Sequence, residues 1–395
     1  MTEPLPAARE PRDPFDPDYM REVVEGPFTP LLECYFRPRL LRAWRLPAEG
    51  PAILAGNHSG SAYPWDAMAL YGLLLARSGY DRDRICRAVF EKELSMAWWM
   101  RPFGIDDFWR RGGGVDMTFD NFHRLLARGD QVLYYPEGVP GIGKGFHRRY
   151  RLQRFSSSFV VQAARHRAPV VPIYTVNAEW VIPFNYTFRW LDRIVQKFHV
   201  PFMPLPAGPL AVTFPWLWYL SLPARMIFMV GEPIDVVARL RALGAENLDD
   251  PGRDDARVVA EQIRQEMQAG LDRHVARYGK APYHGRTLGP ALRRAWRAGT
   301  FHRVMPWGWS WTFLAHDRDR RRPPPRNRLH RWLRDWDILL YYLPLGWPLL
   351  ALARRLRKPP CGYRGLTPEE RREREGSYPW KLAERPLPAK ARQSG

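Results

Sequence analysis

Pro51-Ala52-Ile53-Leu54-Ala55-Gly56-Asn57-His58-Ser59-Gly60-Ser61-Ala62-Tyr63-Pro64-Trp65-Asp66 is the stretch on which the reading of this chain turns. Its first six residues form a short apolar run that reads as a buried strand. Ala67 to Ala76 is apolar and helix-favouring, and Pro64 suits a first helical turn. One histidine and one aspartate therefore stand at a strand-to-helix junction, where side chains reach a cleft rather than a core. A carboxylate beside a histidine fixes the ring tautomer and stabilises the imidazolium, which equips the pair to take a proton from a hydroxyl at neutral pH.

Working outward, strands and helices alternate. Ile53 to Gly56, Arg87 to Phe90, Gln131 to Tyr135, Pro169 to Val176 and Met226 to Val230 read as strands. Asp66 to Ala76 reads as helix. Val115, Phe119, Phe122, Leu125 and Leu126 mark one amphipathic helix, which Gly129 ends; Leu152, Phe155, Phe159, Ala163 and Ala164 mark another. Val258, Ile263, Met267 and Leu271 mark a third. Such alternation predicts an α/β fold with a mostly parallel central sheet flanked by helices. The prolines of Pro169-Val170-Val171-Pro172-Ile173-Tyr174 place that strand at an edge or a mouth.

The flanks differ in character. Residues 1–27, rich in Pro and charge, read as a disordered lead without the apolar core of a signal peptide. Residues 28–280 read as the main domain, opening with an apolar helical stretch from Phe28 to Leu46 that suits a membrane surface. Phe202 to Leu222 is Pro- and Trp-rich and reads as an apolar loop or surface insertion. Residues 281–366 read as a basic, Trp-rich, membrane-associating helical extension, and 367–395 as a mobile tail. Within the extension, Ile338 to Ala353 reaches only about 24 Å as a helix, short of a ~30 Å hydrocarbon core, and two prolines interrupt it. It reads as a shallow insertion or a buried helical hairpin.

Of 395 residues, 45% are hydrophobic, enough for a sizeable core, and the formal charge is +20. That balance favours anionic partners, and 17 tryptophans favour a membrane interface. No zinc-finger, basic-zipper or RNA-binding signature appears, which argues against nucleic acid. The three cysteines, Cys34, Cys86 and Cys361, form no disulfide framework and fit a reducing compartment.

Further segments carry chemistry. Phe108-Trp109-Arg110-Arg111-Gly112-Gly113-Gly114 sets two arginines beside a glycine-rich helix entry, a pattern that can hold a phosphate. Tyr134-Tyr135-Pro136-Glu137-Gly138 directly follows a strand, which places Glu137 at the same sheet edge as His58. Gly138 to Lys144 matches P-loop spacing, but Gly145 stands where a magnesium-holding hydroxyl belongs, which argues against a nucleotide hydrolase.

These segments, taken in order with Val171-Pro172-Ile173 and Gly231-Glu232-Pro233-Ile234, resemble the glycerolipid acyltransferase superfamily that contains the lysophosphatidic acid acyltransferases, over roughly residues 28 to 240. Two departures stand out. The usual spacing would set an aspartate at Tyr63, whereas Asp66 lies later, a form nearer the diacylglycerol acyltransferase-like branch. Val139-Pro140-Gly141 replaces the usual Thr-Arg-Ser, which removes a phosphate-binding arginine; Lys144, Arg148 and Arg149 are the candidate substitutes.

The resemblance implies a glycerolipid-acyltransferase-like fold and a membrane-associated O-acyltransferase. It would move an acyl group from acyl-CoA or acyl carrier protein to a glycerolipid or lysophospholipid hydroxyl, or to a neutral mono- or diacylglycerol. His58 is the expected general base and Asp66 its orienting partner. Arg110, Arg111, Glu137, Gly138 and Lys144 are the expected substrate-binding residues, with backbone N–H groups near Gly60 or Gly138 facing the oxyanion. No metal or cofactor beyond the acyl donor is expected. Anionic membrane lipids are the expected partner, at the cytoplasmic face, in a peripheral or monotopic arrangement. A non-catalytic lipid-binding protein is the reading of another class.

Overall fold

The computed structural model describes residues 15–59, 63–90, 108–197, 202–321, 325–346, 348–350 and 352. Seven strands form one sheet: β1 (Arg39–Leu41), β2 (Ala52–Gly56), β3 (Arg87–Phe90), β4 (Val115–Asp116), β5 (Gln131–Tyr134), β6 (Val170–Val176) and β7 (Ile227–Val230). Their order is β1-β7-β6-β2-β5-β3-β4. Every neighbouring pair is parallel except β6–β7. β2, β6 and β7 are buried along their whole length, because helices cover both faces of a parallel sheet and leave no solvated side for alternation.

The pleat sorts the core into two layers. Leu54, Leu133, Val171 and Phe228 face one side; Ile53, Ala55, Val132, Val170 and Met229 face the other. The first layer is closed by α1 (Pro17–Val23) and α2 (Trp65–Arg77), the second by α3 (Phe119–Ala127), α4 (Ser158–Arg165) and α5 (Arg253–Tyr278). Thr118 caps α3 by accepting from the Asn121 N–H at 3.0 Å, and Gly129, at φ +80°, follows its end as expected. In α5 the helix is as expected, but Val259 and not Val258 joins Ile263, Met267 and Leu271 on the buried face. The strand with Pro172 is interior and not at an edge: it lies between β2 and β7. Its missing N–H falls where β7 has ended at Val230 and Glu232-Pro233 loops out between the Gly231 and Ile234 bonds to β6, so no ladder bond is lost.

The flanks depart most from expectation. Residues 15–27 are not a disordered lead: Asp16 caps α1, and Phe15, Tyr19, Met20, Val23 and Val24 are buried. That stripe at helical spacing outweighs the Pro-rich, charged composition around it. Residues 1–14 and the tail from 367 lie outside the described residues. Phe28 to Leu46 is not a membrane-surface helix either. It forms two π-helical stretches, Val24–Phe28 and Leu31–Phe36, and then enters β1. Phe28 and Phe36 pack edge-on or tilted against Trp309 and Trp65, with centroids 5.3 and 5.2 Å apart, so the apolar face is spent inside.

Phe202 to Leu222 is no plain loop but a helix, Ala207–Thr213, and a 3-10 turn, Pro215–Tyr219. Beyond Gly279, α6 (Gly285–Arg297), α7 (Trp309–Arg321) and α8 (Arg328–Asp335) follow, then a 3-10 turn, Trp336–Tyr342. Ala295, Val304, Trp309, Phe313 and Ile338 join the same apolar layer as Phe28, so the described part of the extension shares the main core. Among the described residues no helix is long and apolar enough to cross a membrane.

Candidate active site

His58 follows the C-terminal end of β2. The preceding Asn57 explains why the chain can turn there. Its side chain takes the place of a strand residue, donating from Nδ2 to the Thr175 carbonyl at 3.1 Å and accepting the Thr175 N–H at 2.7 Å. The β2–β6 pairing is thereby completed by a side chain, and the backbone is released to lift His58 out of the sheet.

His58 is then gripped on three sides. Its N–H donates to Glu137 Oε1 at 3.1 Å. Its carbonyl accepts from Lys144 Nζ at 2.6 Å. Its ring lies flat on Tyr135, with centroids 3.9 Å apart and planes 10° apart. Two glycines make this packing possible. A Cβ on Gly56 would stand 2.8 Å from the Tyr135 ring, and one on Gly141 would stand 2.5 Å from Glu137 Cβ and 3.2 Å from His58 Cβ.

Asp66 sits in the first turn of α2 and is buried. Its Oδ2 accepts the Ser59 N–H at 2.9 Å and lies 3.6 Å from His58 Nδ1. That separation is longer than a closed hydrogen bond, as is common in a histidine–carboxylate pair with no substrate bound. Burial pushes the Asp66 carboxyl up, but His58 and the backbone N–H groups of Ala67 and Ser59 together outweigh it and hold its pKa below the usual carboxylate range. Asp66 is therefore ionised at neutral pH. With Nδ1 turned to Asp66, Nε2 is the ring nitrogen left for a substrate.

Below His58 lies a buried charge cluster. Lys144 Nζ is 3.9 Å from Glu137 Oε2 and 3.8 Å from Glu179 Oε1, with all three side chains inaccessible to water. Two carboxylates thus share one ammonium. Burial pushes Glu179 up to about 7, against the downward pull of Lys144. Glu179 Oε1 accepts the Tyr150 N–H at 3.2 Å, and Oε2 is buried without a partner among the described residues.

The sequence-predicted residues divide accordingly. His58 and Asp66 come together. Glu137 reaches the site, but both its oxygens are taken by backbone N–H groups, of His58 and of Gln153 at 2.6 Å, so it buttresses the histidine instead of offering itself to an acceptor hydroxyl. Lys144 is likewise a buried clamp and not an open phosphate ligand. Gly138 has φ +56° and ψ −149°, a conformation for glycine alone, and its N–H is spent on the Tyr135 carbonyl at 2.9 Å, so it is no oxyanion donor. Gly60 lies outside the described residues.

Arg111 lies outside this cluster. It pairs with Asp16 at 2.6 Å and stacks on the Tyr19 ring at 3.4 Å, which ties the N-terminal helix down. The Arg110 side chain is outside the described residues. Arg148 donates to the Lys144 carbonyl, and Arg149 lies over Phe146 and Trp180. Sequence reasoning missed Asn57, Tyr135, Gly141 and Glu179. The repeat Tyr134-Tyr135 at a strand end carries some signal for the stacking ring, whereas nothing local marks Glu179, which arrives from beyond β6.

Comparison with known proteins follows this geometry. Residues 42–176 match the family model described as Acyltransferase. An uncharacterized protein of Mycobacterium tuberculosis is 30% identical over 223 residues, 56% of this chain and 58% of that protein. One of Mycobacterium leprae is 30% identical over 264 residues, 66% of each. The chain thus spans 58% of the length of the first of these curated relatives. The crystal structure of the 1-acyl-sn-glycerophosphate (LPA) acyltransferase PlsC from Thermotoga maritima is similar at 14% identity, covering 65% of this chain and 81% of that one, with a TM-score of 0.37. The matched segment runs from before β2 to the end of β6 and so takes in His58, Asp66, Glu137 and Lys144. Across residues 42–176 the chain matches the acyltransferase family.

Proposed function

We propose that this chain moves a fatty acyl group from a thioester, on coenzyme A or an acyl carrier protein, to a glycerolipid or lysophospholipid hydroxyl. The observation that carries the reading is His58, held rigidly at a sheet edge with an ionised Asp66 at its Nδ1. The acceptor oxygen attacks the thioester carbonyl carbon while His58 Nε2 takes its proton. The tetrahedral intermediate collapses, the C–S bond breaks, and the thiolate leaves with the proton that the imidazolium returns. Asp66 stabilises the imidazolium between those events. Glu137 and Lys144 keep the histidine backbone in place throughout.

A second reading is a neutral acceptor, such as mono- or diacylglycerol. It is favoured by the commitment of Lys144 and Arg111 to protein partners, which leaves neither free for an acceptor phosphate. One experiment tests both. Purified protein is incubated with labelled acyl-CoA and a panel of lysophosphatidate, glycerol 3-phosphate, lysophospholipids, monoacylglycerol and diacylglycerol, and the lipid products are separated. Labelled product with the intact protein and none with His58→Ala supports acyl transfer, and the accepted lipid decides between the readings. Product formation that survives His58→Ala refutes the mechanism.

A further inference from the structure

α8 is built inside out. Two of its charged residues, Arg334 and Asp335, turn into the protein while Arg331 stays exposed: Arg334 pairs with Asp319 and Asp335 at 2.7 and 2.8 Å, and Arg318 of α7 pairs with Asp335 and Asp337 at 3.1 and 2.7 Å. Asp335 and Asp337 are buried. The apolar side points out. Leu329, Trp332, Leu333 and Trp336, at positions i, i+3, i+4 and i+7, are 62%, 53%, 53% and 40% exposed. A helix dissolved in water buries the apolar stripe and shows the charges. Here four ion pairs fix the helix with its apolar stripe turned outward, so the stripe is oriented and not merely frayed.

The surface continues from α8. Leu345 is exposed and its N–H donates to the Thr213 carbonyl at 2.7 Å, which joins it to the helix carrying exposed Leu210. Largely buried aromatic contacts connect the turn after α8 to the His58 loop. Tyr63, in the loop between His58 and Asp66, meets Tyr219 at 4.8 Å, and Tyr219 meets Tyr341 at 5.9 Å, in the turn that follows α8. On the other flank, the Phe202 ring occupies the place where a side chain on Gly143 would stand, next to Lys144.

We propose that the Leu329–Trp332–Leu333–Trp336 face is the docking surface for an anionic lipid bilayer, and that it sets the His58 loop against the membrane that holds the acceptor. Charge decides the occupant. Exposed Arg326, His330 and Arg331 are interleaved with the apolar stripe, and the chain carries a net charge of +20. A bilayer surface takes tryptophan and leucine into its boundary while lipid phosphates meet arginine, whereas a second copy of so basic a chain would bring like charges together. Delivery of the acceptor rests on the acyl-transfer reading; docking itself does not.

The test uses the full-length protein and phosphatidylcholine vesicles with and without phosphatidylglycerol. Wild type is expected to sediment with the anionic vesicles, and acyl-brominated phosphatidylglycerol is expected to quench its tryptophan fluorescence. Trp332→Asp combined with Leu333→Asp should lower vesicle partitioning about tenfold or more, while the circular dichroism spectrum is kept. Should that variant misfold, Trp332→Phe with Trp336→Phe should remove much of the lipid-dependent quenching. Failure of wild type to bind anionic vesicles, or equal binding by the aspartate variant, overturns the proposal. So does an oligomer that becomes monomeric on the same substitutions, which would assign the face to a second copy. Because the binding assay contains no acyl donor, its failure is distinguishable from failure of the acyl-transfer reading.

Discussion

Replacing Glu179 by Gln should make the protein more stable above neutrality. Wild-type Glu179 is fully buried, and burial raises its pKa from an ordinary 4.5 to about 7. Between those values the folded state holds a proton that the unfolded state has released. Stability therefore falls as pH rises through this window, and the loss is complete once Glu179 is ionised in the fold. At about 1.36 kcal/mol per pH unit the penalty is on the order of 3 kcal/mol. No solvent screening discounts it, since the side chain is inaccessible. Glutamine keeps an oxygen for the Tyr150 N–H, puts a neutral amide where Oε2 has no partner, and leaves Lys144 balanced by Glu137 alone. The assay is urea unfolding of both proteins at pH 5, 6.5 and 8. Groups remote from the buried cluster act alike in both proteins, so the difference isolates the cluster around Glu179. The two midpoints should nearly coincide at pH 5 and separate at pH 8 in favour of the variant. A difference constant with pH, or a less stable variant at pH 8, refutes the reasoning, because it would mean that Lys144 keeps Glu179 ionised at no net cost.

Four other substitutions test the site and its surroundings. His58→Ala should lower acyl-transfer turnover about 10²–10⁴-fold with an unchanged circular dichroism spectrum, the usual contribution of a general base; Asp66→Asn should also lower turnover, by spoiling ring tautomer and orientation, and wild-type turnover in both would sink the pair. Gly141→Ala should cost about 1–3 kcal/mol in urea unfolding, because its Cβ meets Glu137 Cβ at 2.5 Å, and should lower turnover by moving the histidine. Arg111→Ala should lower stability by about 1 kcal/mol through the lost Asp16 pair and Tyr19 stacking, with the Michaelis constants for donor and acceptor unchanged; a raised Michaelis constant would return Arg111 to a substrate role.

The central alternation of strands and helices is legible in the sequence where a strand is a short apolar run, as in β2, β6 and β7, and a helix carries a 3.6-residue stripe; the short strands β1 and β4, Arg39–Leu41 and Val115–Asp116, carry no such run. The pairing of His58 with Asp66 is legible because the two flank one junction. The roles of Glu137 and Lys144 are not. Residue type says that they are charged, while burial and backbone partners, which depend on how four separate segments meet, decide that they face the protein instead of a substrate. Phe28 to Phe36 shows the same limit: an apolar stripe looks alike whether a membrane or Trp65 and Trp309 cover it. For α8 the stripe is equally visible, but only the ion pairs of Arg318 and Arg334 reveal which side is turned outward.

The pair of hydrogen bonds between Asn57 and Thr175 has a consequence for time scales. The Thr175 amide lies in a buried central strand, so it exchanges with solvent deuterium only when that part of the sheet opens. The Asn57 side chain shares that opening, and the His58 amide, closed by Glu137, lies one residue beyond it. His58 is thus attached to the slow, cooperative part of the molecule. Under the acyl-transfer proposal, adjustment to different acyl chains would fall to segments outside that unit, while the His58–Asp66 geometry stays the same from one turnover to the next.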